Sequence, residues 1–151
     1  MVPSPALLRA GTPSTTPFLS VVVPLYNCLA LTQAMLASLR ATLPAELDYE
    51  TILVDDGSTD GTRAWLCTLR DPRCRVLLNE QNRGYAAANN RGVGLARGEY
   101  VALLNNDLVL QPGWLAPMLD AHAMLGSTAG MIGNVQVDAR TGAVDHVGLE
   151  P

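Results

Sequence analysis

The chain has 151 residues, of which 48% are hydrophobic and 16% are charged, and it carries a formal net charge of −4. This length and composition predict one globular domain with its own core. The negative charge excludes a nucleic-acid partner bound through clustered cations. All ten basic residues are arginine, which excludes sites that depend on lysine, such as P-loops and Schiff bases.

The cysteines and the apolar runs indicate the cellular compartment of the chain. The three cysteines are an odd number without CxxC spacing, so we expect reduced thiols. No apolar run reaches the roughly 18 residues of a membrane span, and the first residues lack the pattern of a signal peptide. We therefore expect a cytoplasmic chain.

The first half of the chain predicts a tail followed by two strand-helix units. Residues 1–17 contain four prolines and little contiguous apolar surface, which predicts a disordered tail or linker. Residues 18–25 are nearly all apolar and rich in valine, as in a central parallel strand covered on both faces. Apolar spacing predicts a helix over 29–43, a strand over 49–54 and a helix over 60–69, for which Ser58, Thr59 or Asp60 can be the N-cap.

The second half continues the alternation. A short strand is predicted at 75–78, a polar turn at 79–84, an alanine-rich helix at 85–96 and a fourth strand at 100–104. A helix opens at 112 and runs to 125, with Pro117 tolerated in its first turn. Residues 131–137 and 143–149 are predicted as strands of a hairpin that turns at 140–142. The whole pattern predicts an α/β fold with a parallel sheet and right-handed crossovers.

Polar residues follow three of the predicted strands. In open α/β sheets the carboxyl ends of the strands border the ligand crevice. An aromatic ring, amide groups and carboxylates at this edge fit a nucleotide together with a hard divalent cation. Taken alone, however, residues 56–60 are better explained as a turn and a helix cap, because these residue types dominate turns and caps. The residues concerned are Tyr26 and Asn27, then Asp55 and Asp56, then Asn105, Asn106 and Asp107.

Four stretches in order resemble the motifs of family 2 glycosyltransferases. They are residues 18–27 (FLSVVVPLYN), 52–62 (ILVDDGSTDGT), 82–92 (NRGYAAANNRG) and 100–115 (YVALLNNDLVLQPGWL). The resemblance implies a GT-A fold, with a mostly parallel, Rossmann-like sheet flanked by helices, over residues 18–151. It also implies a UDP-, dTDP- or GDP-linked sugar as donor, Mg²⁺ or Mn²⁺ as cofactor, and a saccharide or lipid-linked acceptor, in the biosynthesis of cell-surface polysaccharide.

The resemblance also implies roles for individual residues. Pro24, Tyr26 and Asn27 correspond to the turn that lines the base, Asp55 to the acid that reads the base, and Asp56 to a position beside the ribose. Asn82, Gly84 and Asn89 correspond to residues near the donor. Asn105, Asn106 and Asp107 stand at the metal motif of acid, any residue, acid.

Two departures from the family pattern affect these expectations. The first acid of the metal motif is Asn105, so metal affinity is expected to rest mainly on Asp107. Cys28 stands where many members have glutamate, which puts one base contact in doubt. The Asn-Asn-Asp sequence followed by Pro-Gly-Trp-Leu resembles the rhamnosyltransferase-like branch, which implies transfer of a hexosyl or deoxyhexosyl group.

The implied reaction is an inverting transfer to an acceptor hydroxyl, which needs a general base. In the family that base belongs to a motif further downstream, so we expect it beyond Pro151. Asp138 and Asp145 are interpreted as hairpin-flanking residues. The chain is therefore expected to be a donor-binding portion without the C-terminal acceptor part, which could bring the enzyme to the inner face of the membrane. An unpaired sheet edge near 131–137 predicts self-association.

Three other classes of protein share part of this pattern. A nucleotide-sugar-binding module without activity fits the same binding residues. A signalling receiver domain would place its acid pair after the first strand and needs a late lysine, which this chain lacks. A nucleotidyltransferase would need a loop with glycine and lysine after the first strand, where this chain has Pro24 to Asn27.

Overall fold

The computed structural model describes residues 16–138 and 140–146. Four strands alternate with helices, and a short hairpin follows. The elements are β1 (Leu19–Leu25), α1 (Leu29–Thr42), β2 (Tyr49–Asp55), α2 (Thr62–Leu66), β3 (Cys74–Leu78), α3 (Tyr85–Val93), β4 (Tyr100–Leu103), α4 (Ala116–Leu125), a 3-10 turn (Gly126–Thr128), β5 (Gln136–Val137) and β6 (Val144–His146).

The central sheet is parallel and has the strand order β3-β2-β1-β4. All seven residues of β1 and all seven of β2 are buried, which explains why both strands are almost continuously apolar. Pro24 lies beyond Val22, the last residue of β1 that pairs with β4, so its missing N–H costs no hydrogen bond on that side. The carboxyl ends of all four strands meet at one edge.

Helices cover the two faces of the sheet unequally. Odd-numbered residues of β1 pack with Met35 and Leu39 of α1, Leu66 of α2 and Leu115 before α4. The opposite face packs Val22, Ile52 and Val54 against Ala88 of α3. Gly92 permits this packing, because a Cβ at this position would lie 2.4 Å from Cγ1 of Val22. The predicted α/β architecture is confirmed.

One carboxylate caps two helices. Asp60 accepts hydrogen bonds from the backbone N–H of Leu29, at the start of α1, and from that of Thr62, at the start of α2, both at 3.1 Å. The N-cap residue of α2 is Gly61, so none of the three candidates holds that position, and Asp60, the residue before it, accepts these bonds. These bonds fix the entry of both helices next to the carboxyl ends of β1 and β2.

Several predicted boundaries were wrong. α2 ends at Leu66 rather than 69, because the chain tightens there into turns in which Thr68 N–H donates to the carbonyl of Trp65. α3 ends at Val93, with Gly94 as its C-cap, rather than at 96. α4 begins at Ala116 rather than 112, with Pro117 in its first turn as predicted.

The C-terminal hairpin is present, and its first strand is much shorter than predicted. Among the described residues, Gln136–Val137 pairs with Val144–His146 in antiparallel register, so the strand predicted at 131–137 was wrong over most of its length. Asp138 caps the turn by accepting hydrogen bonds from the N–H groups of Arg140 and Thr141, and Gly142 supplies a positive φ of 70°. The end of the strand predicted at 143–149 and almost all of the tail predicted at 1–17 lie outside the described residues.

Candidate functional site

A cleft of about 380 Å³ opens at the carboxyl ends of the strands. This volume lies in the range of small-molecule sites. The aromatic rings of Tyr26 and Tyr85 contribute exposed apolar surface to it. The cleft is lined by Pro24, Leu25, Tyr26, Asp56, Asn82, Gly84, Tyr85, Ala88, Asn105, Asn106 and Asp107. Eight of the eleven predicted site residues are therefore in this lining, and Asn27, Asp55 and Asn89 are not.

Asp56 holds the turn that forms one side of the cleft. Its two carboxylate oxygens accept hydrogen bonds from the backbone N–H of Arg83 at 3.0 Å and from that of Gly84 at 2.8 Å, and Nδ2 of Asn79 donates to Oδ1 at 2.6 Å. Burial would raise the pKa of Asp56, but these bonds outweigh it, so its pKa lies below the usual value. The carboxylate is thus ionised and committed largely to the turn.

Asp55 lies beneath the cleft and is fully buried. One carboxylate oxygen accepts from the N–H of Ser58 at 3.3 Å, and the other lies 3.6 Å from Nε of Arg63. Adjacent residues of an extended chain point in opposite directions, which explains why Asp56 lines the cleft and its neighbour does not.

Asn79, directly after β3, joins the two acids, although it belongs to none of the recognised motifs. Its side chain is buried. Nδ2 donates to Asp56, while Oδ1 accepts from Nη1 of Arg91. Its backbone N–H donates to the carbonyl of Asp55 at 2.8 Å, and its carbonyl accepts from Nη2 of Arg63 at 2.7 Å. Only its place in the polar run after a short strand could have drawn attention to it.

The turn after β1 is built from two consecutive left-handed residues, Asn27 with φ 58° and Cys28 with φ 61°. Asparagine tolerates this region better than most residues. The N–H of Asn27 donates to Oγ of Ser58 at 2.7 Å, and its Oδ1 accepts from the N–H of Thr59 at 2.7 Å. Asn27 thereby joins the ends of β1 and β2 instead of facing the cleft, and it carries Tyr26 at the cleft edge.

A tyrosine hydroxyl links the two sides of the cleft. The hydroxyl of Tyr85, the first residue of α3, donates to Oδ1 of Asn105 at 2.8 Å. Asn106 donates through Nδ2 to Oγ1 of Thr32 at 3.0 Å. Asn89 donates to the carbonyl of Tyr85 at 3.1 Å, and its buried Oδ1 has no hydrogen-bond partner within the described part of the chain. Tyr85 lies inside a recognised motif, yet nothing in the sequence separated it from its neighbours.

The described residues that line the cleft carry negative charge and include no cation, although the charge of Arg83 in the adjacent turn helps to lower the pKa of Asp56. The ionisable acids of the lining are Asp56 and the exposed Asp107, and no arginine or histidine is among the described lining residues. No cluster of three or more His, Cys, Asp or Glu able to hold a metal occurs among the described residues. A hard cation at Asp107 would therefore need oxygen atoms of a ligand in addition to the carboxylate, which is how Mg²⁺ usually binds in nucleotide sites. The residues present fit such an ion.

The fold and the cleft define an α/β protein with a crevice at the carboxyl edge of a parallel sheet, the place where such proteins bind their ligands. The family model described as glycosyl transferase family 2 matches residues 20–140, and the chain belongs to this family. Its fold is the GT-A fold, as in the solved structures that it resembles.

Similar proteins act in sugar transfer and polysaccharide assembly. The chain is 32% identical over 112 residues to the succinoglycan biosynthesis protein ExoO of Rhizobium meliloti, covering 74% of this chain and 31% of that protein. It is 37% identical over 116 residues to validoxylamine A glucosyltransferase of Streptomyces hygroscopicus subsp. jinggangensis, covering 75% and 27%.

A solved structure of a mannosyltransferase from Pyrobaculum calidifontis, in complex with GDP-Man and Mn²⁺, has a TM-score of 0.62 and 30% identity, covering 74% of this chain and 34% of that one. The chain thus spans between 27% and 34% of the length of these three relatives. In residues 16–138 and 140–146, no helix is long and apolar enough to cross a bilayer.

Proposed function

We propose that this chain binds the donor, a nucleotide-diphosphate sugar, for a glycosyltransferase that transfers the sugar to an acceptor hydroxyl. One observation carries the proposal. The cleft holds two carboxylates and no cation among its described lining residues, so a diphosphate would be repelled unless a divalent ion accompanied it. The mannosyltransferase whose structure contains GDP-Man and Mn²⁺ supports the same pairing of ligand and ion.

The proposed roles follow from what each side chain offers. The ring of Tyr26 provides a face for the base, with Pro24 beside it. The amides of Asn82, Asn105 and Asn106 supply hydrogen bonds for ribose or sugar hydroxyls. Gly84 has a positive φ of 89°, which glycine adopts without strain, and no atom lies within 4 Å of the place that a Cβ would occupy, which leaves room for the donor. Asp107 would hold Mg²⁺ or Mn²⁺ together with diphosphate oxygens.

Three predicted residues support the cleft from behind. Asn27 joins the loops that carry Tyr26 and Asp56, and Asn89 binds the backbone of α3. Asp55 sits beside Arg63 below the cleft floor. We propose that these three residues act on the donor indirectly, by holding in place the residues that contact it. Asp55 would do so from below the part of the cleft that receives the base.

In the proposed reaction the acceptor oxygen attacks the anomeric carbon from the side opposite the diphosphate. The new C–O bond forms as the bond from the anomeric carbon to the phosphate oxygen breaks, with inversion, and the acceptor proton passes to a carboxylate base. A divalent ion, when bound, stabilises the charge that develops on the diphosphate. The cleft residues described above hold the donor in place for this attack.

The sugar is proposed to be a hexose or deoxyhexose. The Asn-Asn-Asp sequence of residues 105–107, followed by Pro-Gly-Trp-Leu at 112–115, supports the rhamnosyltransferase-like branch. A preference for dTDP over UDP and GDP would agree with a deoxyhexose donor. The acceptor is proposed to be a saccharide or a lipid-linked saccharide.

The test is calorimetric titration of UDP, dTDP and GDP, with and without Mn²⁺, into the wild-type chain and Asp107→Ala. We expect one nucleotide to bind in a metal-dependent way and the variant to lose that dependence. At a hundred times the dissociation constant, the ligand should add about 2.7 kcal/mol to the free energy of unfolding, which thermal unfolding can measure.

Asp120→Ala is the matched control, because Asp120 is an exposed acid of α4 that does not line the cleft. It should bind as the wild type does. Binding that is equally strong without metal, or equally strong in Asp107→Ala, would contradict the assigned metal site. Multiple-turnover sugar transfer would separate an enzyme from a binding module without activity.

A further inference from the structure

The side chain of Asn79 stands between a group that can only accept hydrogen bonds and a group that can only donate them. The ionised Asp56 accepts, and Arg91 donates. An amide suits the place between them, because it offers both a donor and an acceptor on one flat group at every pH. The amide orientation is fixed by these partners, with Nδ2 toward Asp56 at 2.6 Å and Oδ1 toward Arg91.

This bridge has a consequence for the cleft wall. Asp56 has one hydrogen bond from a side chain, that of Asn79, and its other bonds come from the backbone of Arg83 and Gly84. Asn79 therefore sets the rotation of the carboxylate that holds the turn at residues 82–84. Since Asn82 and Gly84 line the cleft, a change at Asn79 would move the wall without touching a ligand.

We propose that Asn79 is a positioning residue for nucleotide binding, which holds Asp56 against the 82–84 turn and connects it to Arg91 of α3. The inference rests on the proposed function, since it names a residue that shapes the same donor site. It goes beyond that function because Asn79 does not line the cleft and belongs to none of the recognised motif positions.

The substitution Asn79→Asp should make the contact between residue 79 and Asp56 depend on pH. It places a second carboxylate at hydrogen-bond distance from Asp56, and such a pair shares one proton at acid pH. The shared proton keeps the bridge closed. When it is lost at higher pH the two carboxylates repel each other, and Asp56 should turn away from the backbone amides. The charged groups around the pair are Arg83 in the turn, Arg91 on α3, Asp55 at the end of β2 and Arg63 on α2.

The experiment measures the affinity of the full chain for UDP, dTDP and GDP with Mn²⁺ between about pH 5 and about pH 8, a range that brackets the expected titration of the carboxylate pair. The variants are Asn79→Asp, Asn79→Ala and Arg91→Gln. Arg91 is exposed, so its variant folds even if the buried alanine variant does not. Arg40→Gln is the matched control, because Arg40 is an exposed arginine in an ion pair with Asp71 near the far end of α1.

We expect Asn79→Asp to bind almost as the wild type does at the acid end and about tenfold more weakly at the alkaline end, the effect of losing a hydrogen bond to a charged group. Asn79→Ala and Arg91→Gln should weaken binding without adding this pH dependence, and Arg40→Gln should change nothing. If Asn79→Asp follows the wild-type profile, or if it is weakened equally at every pH, the positioning role is overturned.

A second measurement works without nucleotide. The protection of the amides of Arg83 and Gly84 against hydrogen exchange, relative to the intrinsic rate at each pH, should fall in the alkaline range in Asn79→Asp and stay high in the wild type. Unchanged protection of these two amides overturns the positioning role. Absence of nucleotide binding by the wild type overturns the proposed function instead, so the two failures can be told apart.

Discussion

At the scale of single residues, the cleft wall depends on close approach between two loops. Gly57 follows the acid pair and has a φ of 84°. A Cβ at this position would lie 2.8 Å from the backbone N of Asn82 and 2.9 Å from the carbonyl carbon of Gln81. These neighbours are backbone atoms, which cannot move aside as a flexible side chain can. Glycine is therefore needed both for its conformation and for its lack of volume.

We predict that Gly57→Ala destabilises the chain more than Gly113→Ala. Gly113 has nearly the same φ, 82°, but a Cβ there would meet no atom within 4 Å. Its variant should lose about 1–2 kcal/mol from backbone strain alone. Gly57→Ala should lose roughly 1–3 kcal/mol more, the cost of overpacking. Urea unfolding of both variants measures the difference, and equal losses would show that the two loops are not in tight contact.

The individual side chains of the site were only partly predictable from the sequence. A polar residue after a predicted parallel strand can be placed at the cleft edge, and this was sufficient for Tyr26, Asn106 and Asp107. Whether a given acid faces the ligand or the interior depends on the last residue of the strand, so Asp55 and Asp56 could not be separated. Asn79 could not be found, because its partners come from β2, α2 and α3 and are far apart in sequence.

At the scale of elements, a second buried acid fastens the opposite edge of the sheet. Glu50, near the start of β2, accepts hydrogen bonds from Oγ of Ser20 in β1 at 2.8 Å and from the backbone N–H and Nη2 of Arg97, both at 2.8 Å. Arg75 of β3 approaches it at 3.4 Å. Burial would raise the pKa of Glu50, but the bonds from Arg97 and Ser20 outweigh it and lower it from 4.5 to about 2.

This lowered pKa predicts a pH-dependent stability. Because the pKa of Glu50 is lower in the folded than in the unfolded chain, its contribution is complete above the usual value of 4.5 and is lost as the pH falls toward 2. With allowance for water around the exposed Arg97, the contribution is about 1–2 kcal/mol. Glu50→Gln should therefore be less stable than the wild type at neutral pH, and this gap should shrink below about pH 4.5.

The measurement is the free energy of urea unfolding at several pH values for the wild type, Glu50→Gln and Glu46→Gln. Glu46 is exposed, so its variant should follow the wild type throughout. Other carboxylates also titrate in acid, and the difference between the wild type and the Glu50 variant isolates one group. A gap that is constant with pH would mean that the ionisation of Glu50 does not stabilise the fold.

Elements with a continuous apolar run in the sequence were predicted well, and those without one were not. The four parallel strands and α1 followed directly from their apolar runs. The strand expected at 131–137 contains alternating valines near its end, but Val135 and Val137 are 61% and 56% exposed. Alternation predicts a strand only where one face has something to pack against, and the described residues provide no such surface there.

At the scale of the whole molecule, the sheet is covered unevenly. β4 is an edge strand of the described sheet and pairs only with β1. In the β1–β4 register Val101 and Leu103 lie beside Ser20 and Val22, on the face that α3 covers at β1 and β2. The helix does not reach them, and their side chains are 42% and 47% exposed. An open edge next to uncovered apolar side chains favours pairing with another copy.

We therefore propose that the chain self-associates through β4, and we expect its average mass in light scattering to rise with concentration. The double variant Val101→Lys, Leu103→Lys should stay near the monomer mass, because charged residues on an edge strand oppose pairing. Leu31→Lys is the control, since Leu31 is 49% exposed but lies on α1. A wild-type mass that stays monomeric at every concentration would contradict the proposal. If Leu31→Lys reduces association as much as the double variant does, general charge repulsion explains both effects. The role of β4 in the contact would then be contradicted.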